Sequence, residues 1–324
     1  MPTSSERYDK PAAERATRAF LDKLNASDGP PLEALSPTDA RAVLEKAQAK
    51  AGVKLPAAEV AEKTISVDGH SIQLKIVRPS GAQGTLPAFM FFHGGGWVIG
   101  DFPTHERCIR DLVNYSGATA VYVEYDRSPE ARFPMALEQC YAATKWVAEH
   151  GSEIGVDGSR LALAGNSVGG NLTATVALKA KMEGGPKLRL QVMFCPVTHA
   201  AFDTPSYEQF AESHFLTRNM MRWFWDCYAP NEADRANVLA SPLRASLDEL
   251  RGLPPALIQT AELDVLRDEG EAYARKLDAA GVDVMSLCMG GLIHDYGLLN
   301  ALSGVPAVQG ALRQAGLELK RRLA

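Results

Sequence analysis

Apolar and polar positions repeat with two different periods along this chain of 324 residues, and the change of period divides it. Up to about residue 60 the spacing is helical. Phe20, Leu21 and Leu24 form one apolar stripe, and Val43, Leu44 and Ala47 a second. Ser36-Pro37-Thr38-Asp39 is a helix start, with a serine to cap free N–H groups, proline at the first helical position and an acid in the first turn. Asp28-Gly29-Pro30-Pro31 separates the two segments. From Glu62 the period falls to two: residues 63–67 and 72–77 alternate on either side of Asp68-Gly69, a hairpin signal.

Residues 87–92 and 118–123 are continuous apolar runs, as expected of strands covered on both faces. Further strands are expected at 161–164, 190–194, 256–260 and 282–287. Amphipathic helical segments at 105–115, 135–150, 169–183 and 268–280 lie between them, with 308–323 at the end. This alternation predicts an α/β fold with a mostly parallel central sheet flanked by helices. Residues 202–250 interrupt it with a dense cluster of Met220, Met221, Trp223, Phe224, Trp225 and Tyr228. Inserted between two sheet strands, that stretch is read as a helical cap over the strand ends, where ligands bind in open α/β sheets.

Composition narrows the function classes. With 46% hydrophobic and 23% charged residues the chain has the make-up of an ordinary soluble globular protein. A net charge of -5 argues against a nucleic-acid or anionic-membrane partner, and no apolar run approaches the roughly 18–20 residues of a membrane span. Five widely spaced cysteines without a C-x-x-C pair read as buried thiols in a reducing compartment, so a cytoplasmic location is expected.

The chemistry starts at Gly165-Asn166-Ser167-Val168-Gly169, between an apolar strand and a helix. A serine on such a strand-to-helix corner is pushed out of the sheet, beside a helix N-terminus that favours developing negative charge. Directly after the 87–92 strand comes His93-Gly94-Gly95-Gly96-Trp97, whose glycines expose backbone N–H groups able to hold an oxyanion. The absence of a following Gly-Lys-Ser/Thr excludes a P-loop. Gly94, Gly95 and Gly96 are therefore candidate oxyanion donors together with Val168, whereas His93 is expected to tie its loop down. His294, just past the last strand, is the candidate base, with His199 and His214 as weaker rivals. Asp264, after the 256–260 strand, is the candidate acid, with Glu262 and Asp268 as rivals; Asp295 lies too close in sequence to His294 to orient it easily. The order Ser167, Asp264, His294 is that of α/β-hydrolases.

The same segments, with Asp264-Val265-Leu266-Arg267-Asp268-Glu269-Gly270 and Ile293-His294-Asp295, resemble the bacterial hormone-sensitive lipase-like esterases over nearly the whole chain. Tyr125-Asp126-Arg127-Ser128-Pro129-Glu130 is similar to another segment of that family. Asn166, Val168 and Val265 depart from the family's usual Asp, Ala and Pro. The resemblance implies an α/β-hydrolase with an N-terminal helical cap over residues 1–60, a catalytic domain over 61–201 and 251–324, and a second cap segment over 202–250. It implies a carboxylic ester hydrolase working through an acyl-enzyme without metal or organic cofactor.

Trp97, Asn166, Phe215, Trp223, Phe224 and Leu292 are candidate substrate-binding residues, suited to small-molecule esters with short to medium acyl or aryl groups. Gly290-Gly291 leaves a near-featureless approach to His294, compatible with a roomy pocket or a loose histidine loop. His294 must be neutral to act, so activity is expected to fall as pH drops through roughly 6–7. Amide, carbamate or lactone hydrolysis on the same residues is the alternative reaction, and a non-catalytic small-molecule receptor the alternative class. An exposed edge strand could join two copies into a homodimer.

Overall fold

The computed structural model describes residues 12–324; the first 11 residues of the expected N-terminal helical segment lie outside the described residues. Eight strands form one sheet: β1 (Ala58–Val67), β2 (His70–Pro79), β3 (Leu86–Phe92), β4 (Thr119–Glu124), β5 (Val156–Asn166), β6 (Gln191–Phe194), β7 (Ala256–Leu263) and β8 (Val284–Ile293). Their spatial order is β1-β2-β4-β3-β5-β6-β7-β8. The first hairpin and the β2–β4 pair are antiparallel, and every later pair is parallel. Asp68 (φ 49°) and Gly69 (φ 80°) make the hairpin turn, both left-handed as its two-residue loop requires.

The helices are α1 (Arg15–Asn25), α2 (Pro37–Lys50), α3 (Phe102–Ser116), α4 (Met135–His150), α5 (Val168–Glu183), α6 (Pro205–Gln209), α7 (Arg218–Tyr228), α8 (Glu232–Ala236), α9 (Leu247–Leu250), α10 (Arg267–Ala279) and α11 (Pro306–Leu323). Parallel neighbours need crossovers, and α3, α4, α5 and α10 supply them, covering both faces of the central strands. Hence the continuous apolar runs: Ala88–Phe92 and Ala120–Val123 are wholly buried. The segment between β6 and β7 holds four short helices, of which α7 buries Met221, Phe224, Trp225 and Tyr228, one stripe at helical spacing. It meets the N-terminal segment where the Phe215 ring packs edge-on against Phe20, with centroids 6.1 Å apart, and where Asn25 Nδ2 donates to the Ser213 carbonyl.

One expected stripe is corrected. On α2 the buried residues are Ala40, Leu44 and Gln48, while Val43 is 46% exposed and Ala47 is also exposed. The inward face therefore runs at i, i+4, i+8, and its last position is polar. Gln48 is chosen for bonding rather than hydrophobicity. Its Nε2 donates to the carbonyls of Thr104 (2.6 Å) and Leu298 (2.9 Å), and its Oε1 accepts from the Asn300 N–H (2.9 Å). Thus α2 is stitched to the start of α3 and to the loop that follows β8. On α1, likewise, Leu24 lies outside the buried face, which consists of Thr17 and Leu21.

Replacing Gln48 by Leu strands the Asn300 N–H and two carbonyls in the interior. The expected loss is about 2 kcal/mol of stability, against less than about 0.5 kcal/mol for Val43→Ala on the exposed face. Urea denaturation of the two variants checks this; equal midpoints would contradict it.

Candidate active site

Register brings the candidate residues to one edge. Phe92 of β3 pairs with Gly165 of β5, Asn166 with Phe194 of β6, and Leu263 of β7 with Ile293 of β8. The residue after each of β3, β5, β7 and β8 is respectively His93, Ser167, Asp264 and His294. All four leave the sheet at its carboxyl edge, where open α/β sheets bind ligands.

Ser167 caps α5 with φ 56° and ψ -120°, a strained backbone for a residue with a side chain. The turn is tight enough that a side chain at Gly165 would stand 2.2 Å from the Gly169 carbonyl oxygen, so only glycine fits there. Ser167 Oγ lies 2.9 Å from His294 Nε2, and His294 Nδ1 lies 2.8 Å from Asp264 Oδ2. Since a carboxylate only accepts, Nδ1 carries the proton and Nε2 is left to accept from the serine hydroxyl. The other Asp264 oxygen accepts from the Leu266 N–H at 3.0 Å. Ser167 is 4% exposed and His294 2%, so this chain lies out of bulk water, where its electrostatics are strong.

The rival acids are engaged elsewhere. Glu262 Oε2 accepts from the Gly291 N–H at 2.6 Å, and Asp268 accepts from Ser206 and Arg267. Among the rival bases, His214 Nδ1 contacts the Glu212 carbonyl, and the backbone of His199 donates to Glu269. The Gly290-Gly291 approach is not loose. These residues sit in a bulge of β8 opposite the register shift in β7, with Gly291 held through its N–H by Glu262 and through its carbonyl by the Glu14 N–H at 2.9 Å. Its left-handed φ of 70° is what the bulge demands.

Of the three loop glycines, Gly94 is corrected as a donor. Its N–H faces Asn166 Oδ1 (3.1 Å) and His105 Nε2 (3.2 Å). Among the described residues the N–H groups of Gly95, Gly96 and Val168 have no hydrogen-bond partner, which leaves them available at this corner. His93 Nδ1 bonds the Gly94 carbonyl at 2.8 Å and its ring stacks on Tyr125, with centroids 4.1 Å apart. Tyr125 in turn donates to the His93 carbonyl. Arg41 of α2 bonds the carbonyls of Val98 and Ser128 and pairs with Glu130, bracing the far side of the loop.

The apolar surroundings differ from expectation in part. Phe224 lies over the loop, its ring within 2.0 Å of where a Gly96 side chain would be. Trp223 adjoins it (5.1 Å between centroids) and Phe215 is half-buried against Phe20. Trp97 and Leu292 are wholly buried instead. The Trp97 ring is stacked on Tyr228 at 4.0 Å and meets the edge of Trp225 at 4.9 Å, so it carries α7 from below. Leu292 is a core residue of β8.

Three residues were not legible as participants. Asp295, set aside on sequence proximity, has Oδ2 3.7 Å from His294 Nε2 and Oδ1 bonded by Asn166 Nδ2 at 2.8 Å. His105, read only as near a helix start, is fully buried beneath the glycine loop. Burial holds its ring below the usual histidine value, and Nδ1–H to the Asp101 carbonyl leaves Nε2 free to accept from Gly94. Glu269 is buried with its Oε1 accepting from the N–H groups of Thr198 and His199, and burial pushes its carboxyl up to about 8. A polar residue on an otherwise apolar helix face was the available signal for the last two.

The donor atoms of Cys195, Asp264 and His294 lie within 4.8 Å of one another. Burial lifts the Cys195 thiol well above its ordinary range, so it stays as S–H, whereas the metal-ligating form is the thiolate. Burial also pulls the His294 ring down. The charges of Asp264 and Asp295, with the hydrogen bond to Asp264, outweigh that and raise it to about 9.

The model of a family described as the alpha/beta hydrolase fold matches residues 89–298. A thermostable esterase from Pseudomonas putida ECU1011 has a structure similar to this one, with a TM-score of 0.96 at 63% identity, covering 97% of this chain and 99% of the other. Carboxylesterase NlhH of Mycobacterium tuberculosis is 36% identical over 271 residues, 83% of this chain and 84% of its own length. An ethyl acetate hydrolase of Pseudomonas putida is 34% identical over 272 residues, 82% and 85% of the two chains.

The raised His294 value moves the expected titration out of the 6–7 range. An NMR titration of the His294 ring should give a midpoint near the value of about 9 that the surrounding carboxylates impose. A midpoint at or below the ordinary histidine value of about 6.5 would show that burial wins instead.

Proposed function

This chain belongs to the α/β-hydrolase family and is a serine carboxylesterase, and from that premise we propose that it cleaves short to medium acyl and aryl esters of small molecules through Ser167, His294 and Asp264. What supports the reading is the unbroken chain of hydrogen bonds, 2.9 Å and 2.8 Å, from hydroxyl to imidazole to carboxylate. Ser167 Oγ attacks the ester carbonyl carbon while its proton passes to His294 Nε2, and the carbonyl π pair moves onto oxygen. The oxyanion is held by N–H groups of Gly95, Gly96 and Val168. As the pair returns, the C–O bond to the alcohol breaks and Nε2 protonates the leaving oxygen. Water then repeats the sequence on the acyl-enzyme, releasing the acid and restoring the Ser167 hydroxyl. Asp264 fixes the tautomer and stabilises the imidazolium throughout.

Phe215, Trp223 and Phe224, with Phe20 packed on Phe215, are the proposed apolar wall. They are carried by 202–250 and by the described part of the 1–60 segment, the two pieces of the proposed cap on the 61–201 and 251–324 catalytic domain. An apolar wall suits an acyl or aryl group, and a short one is in keeping with the ethyl acetate hydrolase among the relatives. Asn166 stands beside the wall but is turned toward Gly94 and Asp295, so it serves the loop more than the substrate. The mechanism needs no metal or organic cofactor.

Among the described residues no helix is long and apolar enough to cross a membrane. The five free thiols suit a reducing, cytoplasmic setting. Strand β8 ends the sheet and exposes Met285 and Cys288, and pairing of this edge between two copies is the proposed dimer contact.

Ser167→Ala is expected to reduce turnover of p-nitrophenyl esters to background, and Asp264→Asn to lower kcat on the order of 10⁴-fold, as in other triads. A loss below about tenfold for Asp264→Asn would move the acid's role elsewhere. In the same assay kcat/KM should favour acetate to hexanoate; a preference for laurate or longer chains would overturn the substrate class. Because only neutral His294 can accept the serine proton, a raised value shifts the acid limb of activity upward, and activity should still be rising between pH 7 and 8. Light scattering should give a mass near twice the 35.0 kDa of one chain; a monomeric mass would remove the β8 pairing.

A further inference from the structure

The turn after β8 brings a second carboxylate to the site that the hydrolysis mechanism above does not use. Asp295 is 8% exposed, with a left-handed φ of 56°, and its backbone carbonyl accepts from Leu298 and Leu299. The turn fixes its backbone, and the hydrogen bond from Asn166 holds its side chain. One oxygen accepts from Asn166 Nδ2 at 2.8 Å, and the other lies 3.7 Å from His294 Nε2, on the nitrogen that faces the serine. Asn166 completes the link from its other end, where Oδ1 accepts the Gly94 N–H at 3.1 Å. A single amide therefore joins the glycine loop after β3, the serine corner after β5 and the histidine loop after β8.

We propose that Asn166 and Asp295 are a positioning pair that holds the histidine loop in register with the oxyanion loop and sets a negative charge beside His294 Nε2. The proposal rests on the reading of Ser167 as nucleophile and His294 as base. The chemistry of position 166 is specific. It must accept from Gly94 and donate to Asp295 at once, which an amide does and a carboxylate cannot. An aspartate there would set two acceptor-only groups at hydrogen-bond distance, in an interior where like charges repel strongly. The carboxylate of Asp295 adds a stabiliser for the imidazolium that forms when Nε2 takes the serine proton, complementary to Asp264 on Nδ1. Other titratable groups facing this site are His105 and Cys108 from α3, Cys195 after β6 and Glu269 from α10. The carboxylates within 4 Å of the His294 nitrogens are Asp264, at Nδ1, and Asp295, at Nε2.

Three variants separate the two roles in assays with p-nitrophenyl butyrate across pH. Asn166→Asp breaks the hydrogen bond and should lower kcat by about ten- to a hundredfold, with KM changed less than about threefold. The double variant Asn166→Asp with Asp295→Asn reverses the donor and acceptor and should bring kcat to within about threefold of that of Asp295→Asn alone. Asp295→Asn alone keeps an acceptor for Asn166 Nδ2 but removes the charge, so it should shift the acid limb of kcat/KM to lower pH. Undiminished kcat in Asn166→Asp, or a double variant no better than that single one, would overturn the positioning role. An unmoved acid limb in Asp295→Asn would overturn the charge role, and that variant remains informative even if Asn166→Asp fails to fold. Ser167→Ala in the same series reports on the nucleophile separately: lost turnover there beside a fully active Asn166→Asp removes the pair and leaves the triad.

Discussion

Ser167 can hold a left-handed backbone only because both neighbouring turns of chain come close enough to lock it. Its N–H donates to the Phe194 carbonyl of β6, and its own carbonyl accepts from Asn171 and Val197. A residue strained in this way persists only where the surroundings over-determine it, and here they are a buried strand on one side and a fully buried helix start on the other. The same constraint explains the small residues at 165 and 169. It also aims the hydroxyl away from the sheet, toward the ends of β7 and β8, where the other partners emerge.

From that corner outward, the site is supported by elements that carry no chemistry. Arg107 of α3 bonds the carbonyls of Gly297 and Leu298, and Gln48 of α2 bonds the latter as well. Glu14, just ahead of α1, bonds Gly291 in the bulge before His294. The N-terminal segment is thus part of the histidine loop's foundation. It meets the segment between β6 and β7 through the edge-on Phe20–Phe215 pair, and its polar anchors to the rest of the fold, at Gln48, are buried. Gln48 ties the N-terminal segment directly to the loop that continues from His294.

Much of this was legible in the chain itself, because the signals were local. The strand runs, the helix boundaries of 135–150, the serine cap at 36 and the Asp68-Gly69 turn follow from periodicity and turn chemistry over a few residues. The order of Ser167, Asp264 and His294 could be read because each follows a strand. The misreadings have a common cause. Val43 and Ala47 were placed inward on hydrophobicity, while the position that faces in, Gln48, is polar and finds partners some 56 and 250 residues away. His105, Glu269 and Asp295 bond across the fold in the same way, and no local pattern reports such partners. Trp97 is expected among the pocket residues, but its ring is taken by Tyr228 and Trp225 from a different segment.

Distance along the chain also explains why the electrostatics of His294 could not be anticipated. An imidazole out of water loses its proton readily, and on burial alone His294 would lie below the usual histidine range. Two carboxylates reverse the sign, one reaching Nδ1 from the end of β7 and the other standing near Nε2 from the adjacent residue. Adjacency in sequence does not prevent Asp295 from facing the same ring: its backbone has a left-handed φ and its Oδ2 stands 3.7 Å from His294 Nε2. Asn166 then fixes one of its oxygens, so the charge stands at a set distance in place of collapsing onto the imidazole. The base is therefore held between two acids of unequal reach, the nearer bonded to it and the farther restrained by an amide that also holds the glycine loop.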